Sequence, residues 1–374
     1  MQFNLDDNLR KNFRDKINST NVFYTWNEYE PKWNLICAVM DRVDHTVGIL
    51  NNKLILNSKD IAHDTIIALV YIDILVKSIK ELMTNLNVKY PLSTDTTIFN
   101  KLGKGSGTDD RFFNYIRTLA FAHPVNATEH RSYISEGEVK YCPYIMDDKI
   151  FGKKGDINVR VYSSVDNSFV MENFPFMQLV QYAKKRYELL NVLLDRVDNI
   201  IKDYIALLRA RTIIVTTPIE TLKRIIDEAE YRKDEFLLGD FKNAYSILTT
   251  PITNTKNETA VKDFRDAIEQ TISELASAYQ KVDSAEIENC SFFKALDFSY
   301  HDELSGYSYA YSKVKDHLSP DNSNRDIIFG FAMLNELREF TNQYVEIDDG
   351  ISLDEIQLLI DTAIYLFEKK YRSK

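Results

Sequence analysis

Apolar residues recur along most of this chain at alternating steps of three and four, the period of a helix with one face turned inward. Residues 31–51 place Trp33, Cys37, Met40, Asp44, Val47 and Leu50 on one stripe, and residues 61–86 repeat the pattern through Ile67, Val70, Ile74 and Leu82. The most regular stretch is 177–210, where Ala183, Tyr187, Leu190, Leu194, Val197, Ile201, Tyr204 and Leu208 define an a/d-type seam. Read as one continuous helix it is ~50 Å long. Such a seam needs a partner helix, either in the same chain or in a second copy.

Between the second and third of these stretches the period changes. Tyr90 to Asp110 contains Pro91 and the run GKGSGTDD, which reads as a flexible connection closed by an Asp helix cap, followed by a helix from Asp110 to Ala122 that Pro124 helps to end. EVKYCPY (138–144) and DINVRVYSS (156–164) then alternate with a period of two, Ile157, Val159 and Val161 on one face and Asn158, Arg160 and Tyr162 on the other. This predicts a small antiparallel hairpin or three-stranded patch with FGKKGD as its loop. The last third returns to helical periodicity. Thr217-Pro218-Ile219-Glu220 and Ser352 with Glu355 are helix starts of the capping-box kind. The expectation is a mostly α protein: residues 1–212 a helical bundle with a β insert at about 138–172, and residues 213–374 a helical C-terminal region.

Composition narrows the class. The 374 residues hold 11 Gly and 8 Pro against 22 Tyr and 21 Phe, too few breakers for anything but long elements. With 46 basic and 56 acidic residues the net charge is −10, so any grip on phosphate has to be local. Three basic clusters qualify: Arg10, Lys11, Arg14 and Lys16; Lys101, Lys104, Arg111 and Arg117; and the run from Lys184 to Arg211. Each reads first as a solvated helix face. Cys37, Cys142 and Cys290 are too dispersed for a disulfide framework or a structural zinc site. The opening residues MQFNLDDNLRKNFRDK lack an apolar signal core, and no stretch has the eighteen or so consecutive apolar residues of a membrane span. A cytoplasmic protein with no membrane partner is expected.

The chemistry-bearing segment is Arg117-Thr-Leu-Ala-Phe-Ala-His123, at the end of the helix that follows the glycine-rich run. A helix C-terminus favours a protonated imidazole, and histidine titrates near neutral pH. Asp110 and Asn114 precede Arg117 by seven and three residues, which places all three on one polar stripe opposite Phe112, Ile116 and Leu119. Here the chain resembles the HEPN family (higher eukaryote and prokaryote nucleotide-binding). These are α-helical domains whose ribonuclease members carry Arg, four to six intervening residues, then His. The resemblance covers roughly residues 30–210 and departs from the family's pattern at Thr118, where active members often carry Asn, Asp or His.

The resemblance implies metal-independent cleavage of RNA without a cofactor. His123 would move the proton of the ribose 2′-hydroxyl, and Arg117 would stabilise the charged phosphorane-like transition state. It also implies a homodimer that joins two copies of the motif, and a toxin or phage-defence context. Lys101, Lys104, Arg111, Tyr141 and Tyr144 are candidate RNA contacts, the tyrosines as stacking surfaces.

Two rival readings belong to other classes. One is a non-catalytic helical interaction protein that assembles through the 177–210 seam. The other is a metal-dependent phosphohydrolase built on His63-Asp64, with His45 and Asp109 or Asp110, since such ions need a mixed N/O shell. His301-Asp302 repeats the dipeptide without partners, and the Tyr307, Tyr309, Tyr311 alternation has no evident reading.

Overall fold

The computed structural model describes residues 2–52, 61–146, 156–165, 169–296, 306–318 and 322–372. The chain is mostly α-helical with one small antiparallel sheet, and it divides into two compact units, Met1–Tyr204 and Ile205–Lys374.

In the first unit, α1 (Asp7–Asn18), a short α2 (Val22–Thr25) and α3 (Trp33–Asn52) precede α4 (Ile61–Asn85). The buried stripe of α3 is Ile36, Met40, Val43, Val47 and Leu50, so Trp33, Cys37 and Asp44 lie on its margin. α4 departs further from a one-faced helix. Leu69, Ile72, Leu75, Val76, Ile79, Leu82 and Met83 are buried while Ile67, Val70 and Ile74 are only partly so. The reason is its central position, in contact with α3, with α6 (Phe176–Tyr187) and with the sheet. A helix covered on several sides is apolar on several sides.

The sheet is organised around β3 (Asp156–Ser163). β4 (Phe169–Pro175) runs along one edge with Val161 opposite Val170 and Ile157 opposite Phe174. The other edge is shared by β1 (Lys140–Tyr141), against Ser163 and Tyr162, and β2 (Ile145–Met146), against Val159 and Asn158. Ile157, Val159 and Val161 face the core as the period of two requires. β4, FVMENFP, escaped the sequence reading because apolar and polar residues do not alternate in it. The FGKKGD loop lies outside the described residues, apart from Asp156.

The 177–210 seam is not one helix. α6 ends at Tyr187, Glu188 and Leu189 form a turn, and α7 (Leu190–Ala210) starts a new helix. The interruption rotates the face, so Leu193 and Ile200 are buried where Leu194 and Ile201 had been expected. Each fully buried side chain of this size contributes roughly 1.5–3 kcal/mol. The partner is the chain itself: the Tyr204 hydroxyl lies 3.2 Å from Thr25 Oγ1, the Tyr204 ring packs beside Trp26, and Arg196 donates to the carbonyl of Leu86. The seam is therefore interior packing, not an assembly surface.

The second unit is helical in every described element: α8 (Pro218–Arg232), α9 (Glu235–Thr249), α10 (Glu258–Glu269), α11 (Ile272–Lys281), the short α12 (Ser284–Glu288) and α13 (Ser291–Leu296), α14 (Ser308–His317), α15 (Asn324–Thr341) and α16 (Leu353–Arg372). Thr217 accepts from the Glu220 N–H with Pro218 at the first position, as its sequence dictates. Ser352 accepts from the Glu355 N–H, but the Glu355 carboxylate is buried and takes the N–H and hydroxyl of Thr253 instead of reaching back to the cap. No helix among the described residues is long and apolar enough to cross a membrane.

Candidate functional site

The motif helix α5 spans Asp109–Arg117 and starts from a cap that the sequence misassigned. Thr108 is the N-cap, its hydroxyl accepting from Arg111 N–H. Asp109 turns back instead and accepts the N–H groups of Ile98 and Phe99, both at 2.9 Å. The preceding glycine run is not a slack connection. Lys104 N–H bonds the Ser132 carbonyl, Gly105 and Gly107 N–H both bond the Leu102 carbonyl, and the Tyr133 hydroxyl donates to the Lys101 carbonyl. At Gly103 an added Cβ would come within 2.1 Å of the Ser132 oxygen, so glycine is demanded by the close approach.

Asp110, expected on one polar stripe with Asn114 and Arg117, points into the interior. It is buried, and its carboxylate accepts from Arg186 Nε and Nη2 at 3.0 and 2.8 Å, Lys80 Nζ at 2.6 Å and the Tyr182 hydroxyl at 2.9 Å. Burial alone would raise its pKa, but Arg186 and Lys80 outweigh it and hold the carboxyl below the usual range. Arg186 is fully buried, stacked on the Tyr182 ring. This cluster fastens α5 to α4 and α6, and sequence periodicity held no sign of it. Asn114 stays on the helix flank, half-buried.

The other end of α5 is open. The helix widens into a π turn over Thr118–Ala122, closed by His123 N–H on the Thr118 carbonyl at 2.9 Å. His123 leaves helical geometry at φ −143°, ψ 59°, and its side chain is solvent-exposed. Single π turns of this kind recur at functional sites. Arg117 is 24 % exposed, with Nη1 3.2 Å from Asp73 on α4 and Nε buried without a hydrogen-bond partner among the described residues. Asp73 also takes Lys77 Nζ at 2.8 Å.

Immediately after His123, the carbonyl of Pro124 accepts the N–H of Cys142. That bond ties the Tyr141–Tyr144 segment to the motif turn. Tyr141 and Tyr144 are exposed, while Cys142 between them is buried and its thiol is pushed up to about 11 by desolvation. Of the basic candidates, Lys104 and Arg111 are exposed but engaged, with Ser135 and with the Ser106 carbonyl respectively. Lys101 packs over Phe112 and sits 3.9 Å from Glu172.

One residue of this region went unnoticed in the sequence. His130 Nε2 is 2.8 Å from the Thr118 hydroxyl, and burial, reinforced by the charge of Arg117 and opposed by Glu129, lowers its proton affinity. It lies beyond any motif spacing from Arg117, so no local pattern could have found it.

Elsewhere most of the N-terminal basic cluster is paired. Arg10 and Arg14 pair with Asp7, Asp41 and Asp44, and Lys16 with Asp198. His45 and His63 are exposed, Asp109 and Asp110 are committed as above, and no three His, Cys, Asp or Glu side chains among the described residues gather as a metal site. His301-Asp302 lies outside the described residues. No family model matches the chain, and neither a curated protein nor a solved structure matches it.

Proposed function

We propose that the chain is a metal-independent endoribonuclease of HEPN type, with His123 as the proton carrier and Arg117 as the electrostatic stabiliser. The observation that carries this reading is the end of α5: an exposed imidazole just past a π turn, and a guanidinium held at partial exposure by Asp73. RNA cleavage by its own 2′-hydroxyl requires a group that exchanges protons near pH 7 and a fixed positive charge for the phosphorane. Exposed Tyr141 and Tyr144, tied to the same turn through Cys142, supply stacking surfaces for unpaired bases, with Lys104 and Arg111 as backbone contacts. A homodimer that brings two motifs together belongs to the same proposal, as does an effector role in toxin or phage-defence systems in the cytoplasm.

The test is cleavage of single-stranded RNA in EDTA by the purified chain. Arg117→Ala and His123→Ala each abolish it while the far-ultraviolet circular dichroism stays unchanged; cleavage retained in both variants overturns the assignment. Sedimentation at several concentrations reads the dimer.

A second reading, a non-catalytic interaction protein, is favoured by a different feature: Ile328 (70 % exposed), Phe329 and Phe331 are exposed on α15 of the second unit. Exposed apolar groups concentrated in one stretch mark contact surfaces more often than isolated ones do. No cleavage under any condition, with association lost on Ile328→Ser, favours this reading. Cleavage that needs a divalent ion favours the phosphohydrolase instead.

A further inference from the structure

Thr118 joins two histidines. Its carbonyl accepts the His123 N–H at 2.9 Å, and its hydroxyl lies 2.8 Å from His130 Nε2. We infer that His130 is a positioning residue of the Arg117–His123 site, acting through Thr118, and that protonation of its ring switches the site off in acid. The inference rests on the nuclease reading.

The geometry around His130 is built to hold that ring. Its backbone sits at φ +76°, a region that glycine adopts freely and that asparagine, aspartate and histidine enter more readily than other residues. Its carbonyl accepts the N–H groups of Tyr133 and Ile134, which fixes the turn. The ring meets the edge of Tyr115 at 6.0 Å, and Lys140 Nζ holds the Tyr115 hydroxyl at 3.3 Å. Histidine at this position combines tolerance of that backbone with a side chain long enough to reach Thr118.

The chemistry follows from what each nitrogen carries. A neutral imidazole has one N–H and one lone pair, so Nε2 either accepts the Thr118 hydroxyl proton or donates to its oxygen. The protonated ring only donates, which dictates the direction of the hydroxyl. It also sets a second positive charge beside Arg117, whose own partner Asp73 is shared with Lys77. The charged and titratable groups facing the ring are Arg117 and Glu129, with the Tyr115 phenol and Lys140 behind them. Burial and Arg117 both oppose the charged ring and Glu129 favours it, so the neutral form persists below the pH at which an ordinary histidine titrates. Below that, repulsion acts on the guanidinium and the altered hydroxyl acts on the turn that carries His123.

The test uses the full chain, a fluorophore- and quencher-labelled single-stranded RNA in EDTA, and single-turnover cleavage across a pH series. His130→Asn keeps a residue suited to positive φ but removes the reach to Thr118. Thr118→Val removes the hydroxyl and keeps the shape, and Thr118→Ser keeps the hydroxyl. The expected result is a loss of rate of up to about 10²-fold in His130→Asn and Thr118→Val, with the acid limb displaced by on the order of one pH unit. Thr118→Ser retains the wild-type profile, and the Thr118→Val/His130→Asn double variant loses no more than either single one.

Ring resonances of labelled histidine supply a readout independent of RNA: removing the charge in Arg117→Ala raises the pH at which His130 titrates, and Thr118→Val shifts it as well. An active wild type whose pH profile is unmoved by His130→Asn, or a His130 titration indifferent to both substitutions, overturns the inference alone. A wild type that never cleaves RNA overturns the nuclease reading and takes this inference with it.

Discussion

The two ends of α5 treat charge in opposite ways. At the N-terminal end, Asp110 and Arg186 are buried, and Arg186, Lys80 and Tyr182 all converge on one carboxylate. At the C-terminal end, Arg117 has, among the described residues, one close carboxylate and no partner for its buried Nε, and an exposed histidine lies beyond it. A buried charge surrounded by partners holds a fold together. A partly exposed charge with fewer partners contributes less to the fold, and on the proposed reading it is this end of the helix, not the buried one, that meets a ligand.

The largest expected effect comes from breaking the closed end. Asp110→Asn removes the nearer of two countercharges of the buried Arg186 and leaves it only Asp95 at 3.8 Å, which destabilises the first unit by about 3 kcal/mol, measured by urea unfolding; a loss below about 1 kcal/mol would show that the cluster is solvated. Replacing the stacking candidates is smaller. On the proposed nuclease reading, Tyr141→Ala and Tyr144→Ala each weaken binding of single-stranded RNA by about 1–3 kcal/mol in a fluorescence-anisotropy titration, with no change in melting temperature.

Acid sharpens the comparison further, because both ends carry groups whose proton affinity is depressed on folding. For Asp110 the folded value lies below the unfolded one, so its contribution to stability is present above the unfolded carboxylate range and is lost as pH falls through the folded value. His130 obeys the same sign in a higher window: its stability is complete above about pH 6.5, the ordinary histidine value, and declines as pH falls toward the lowered folded value. Denaturation midpoints measured from pH 8 to pH 3 decline in two stages, and His130→Asn removes the upper one alone. The smallest effect is the most diagnostic: Arg117→Ala, at a partly exposed ion pair, changes stability by under about 1 kcal/mol. Unfolding of that variant as severe as in Asp110→Asn would erase the distinction between the two ends.

Much of this architecture is written in local pattern. The helices at 33–52 and 61–85, the inward face of β3 and the Thr217-Pro218 start follow from periodicity and capping chemistry that adjacent residues carry themselves. The tyrosine alternation at 307–311 becomes legible once it is helical. Tyr311 is buried with its hydroxyl on Asp361, Tyr307 a turn away packs on Phe340, and Tyr309 points outward. The basic residues near the N-terminus lie on a helix face whose countercharges the sequence does not reveal; Arg10 and Arg14 are neutralised from α3, across a separation no spacing rule spans.

By itself the sequence determined a mostly helical chain, a small antiparallel insert and a helix that ends in Arg117 and His123. Such features depend on residues within a few positions of one another. Only the tertiary structure decided that Asp110 is a structural anchor and that the 177–210 seam is broken and turned inward. The meeting of Thr118 with His130 was likewise decided there. Each of these rests on a contact between elements far apart in sequence, where burial and Coulomb energy are set by distance in space, which no periodicity encodes.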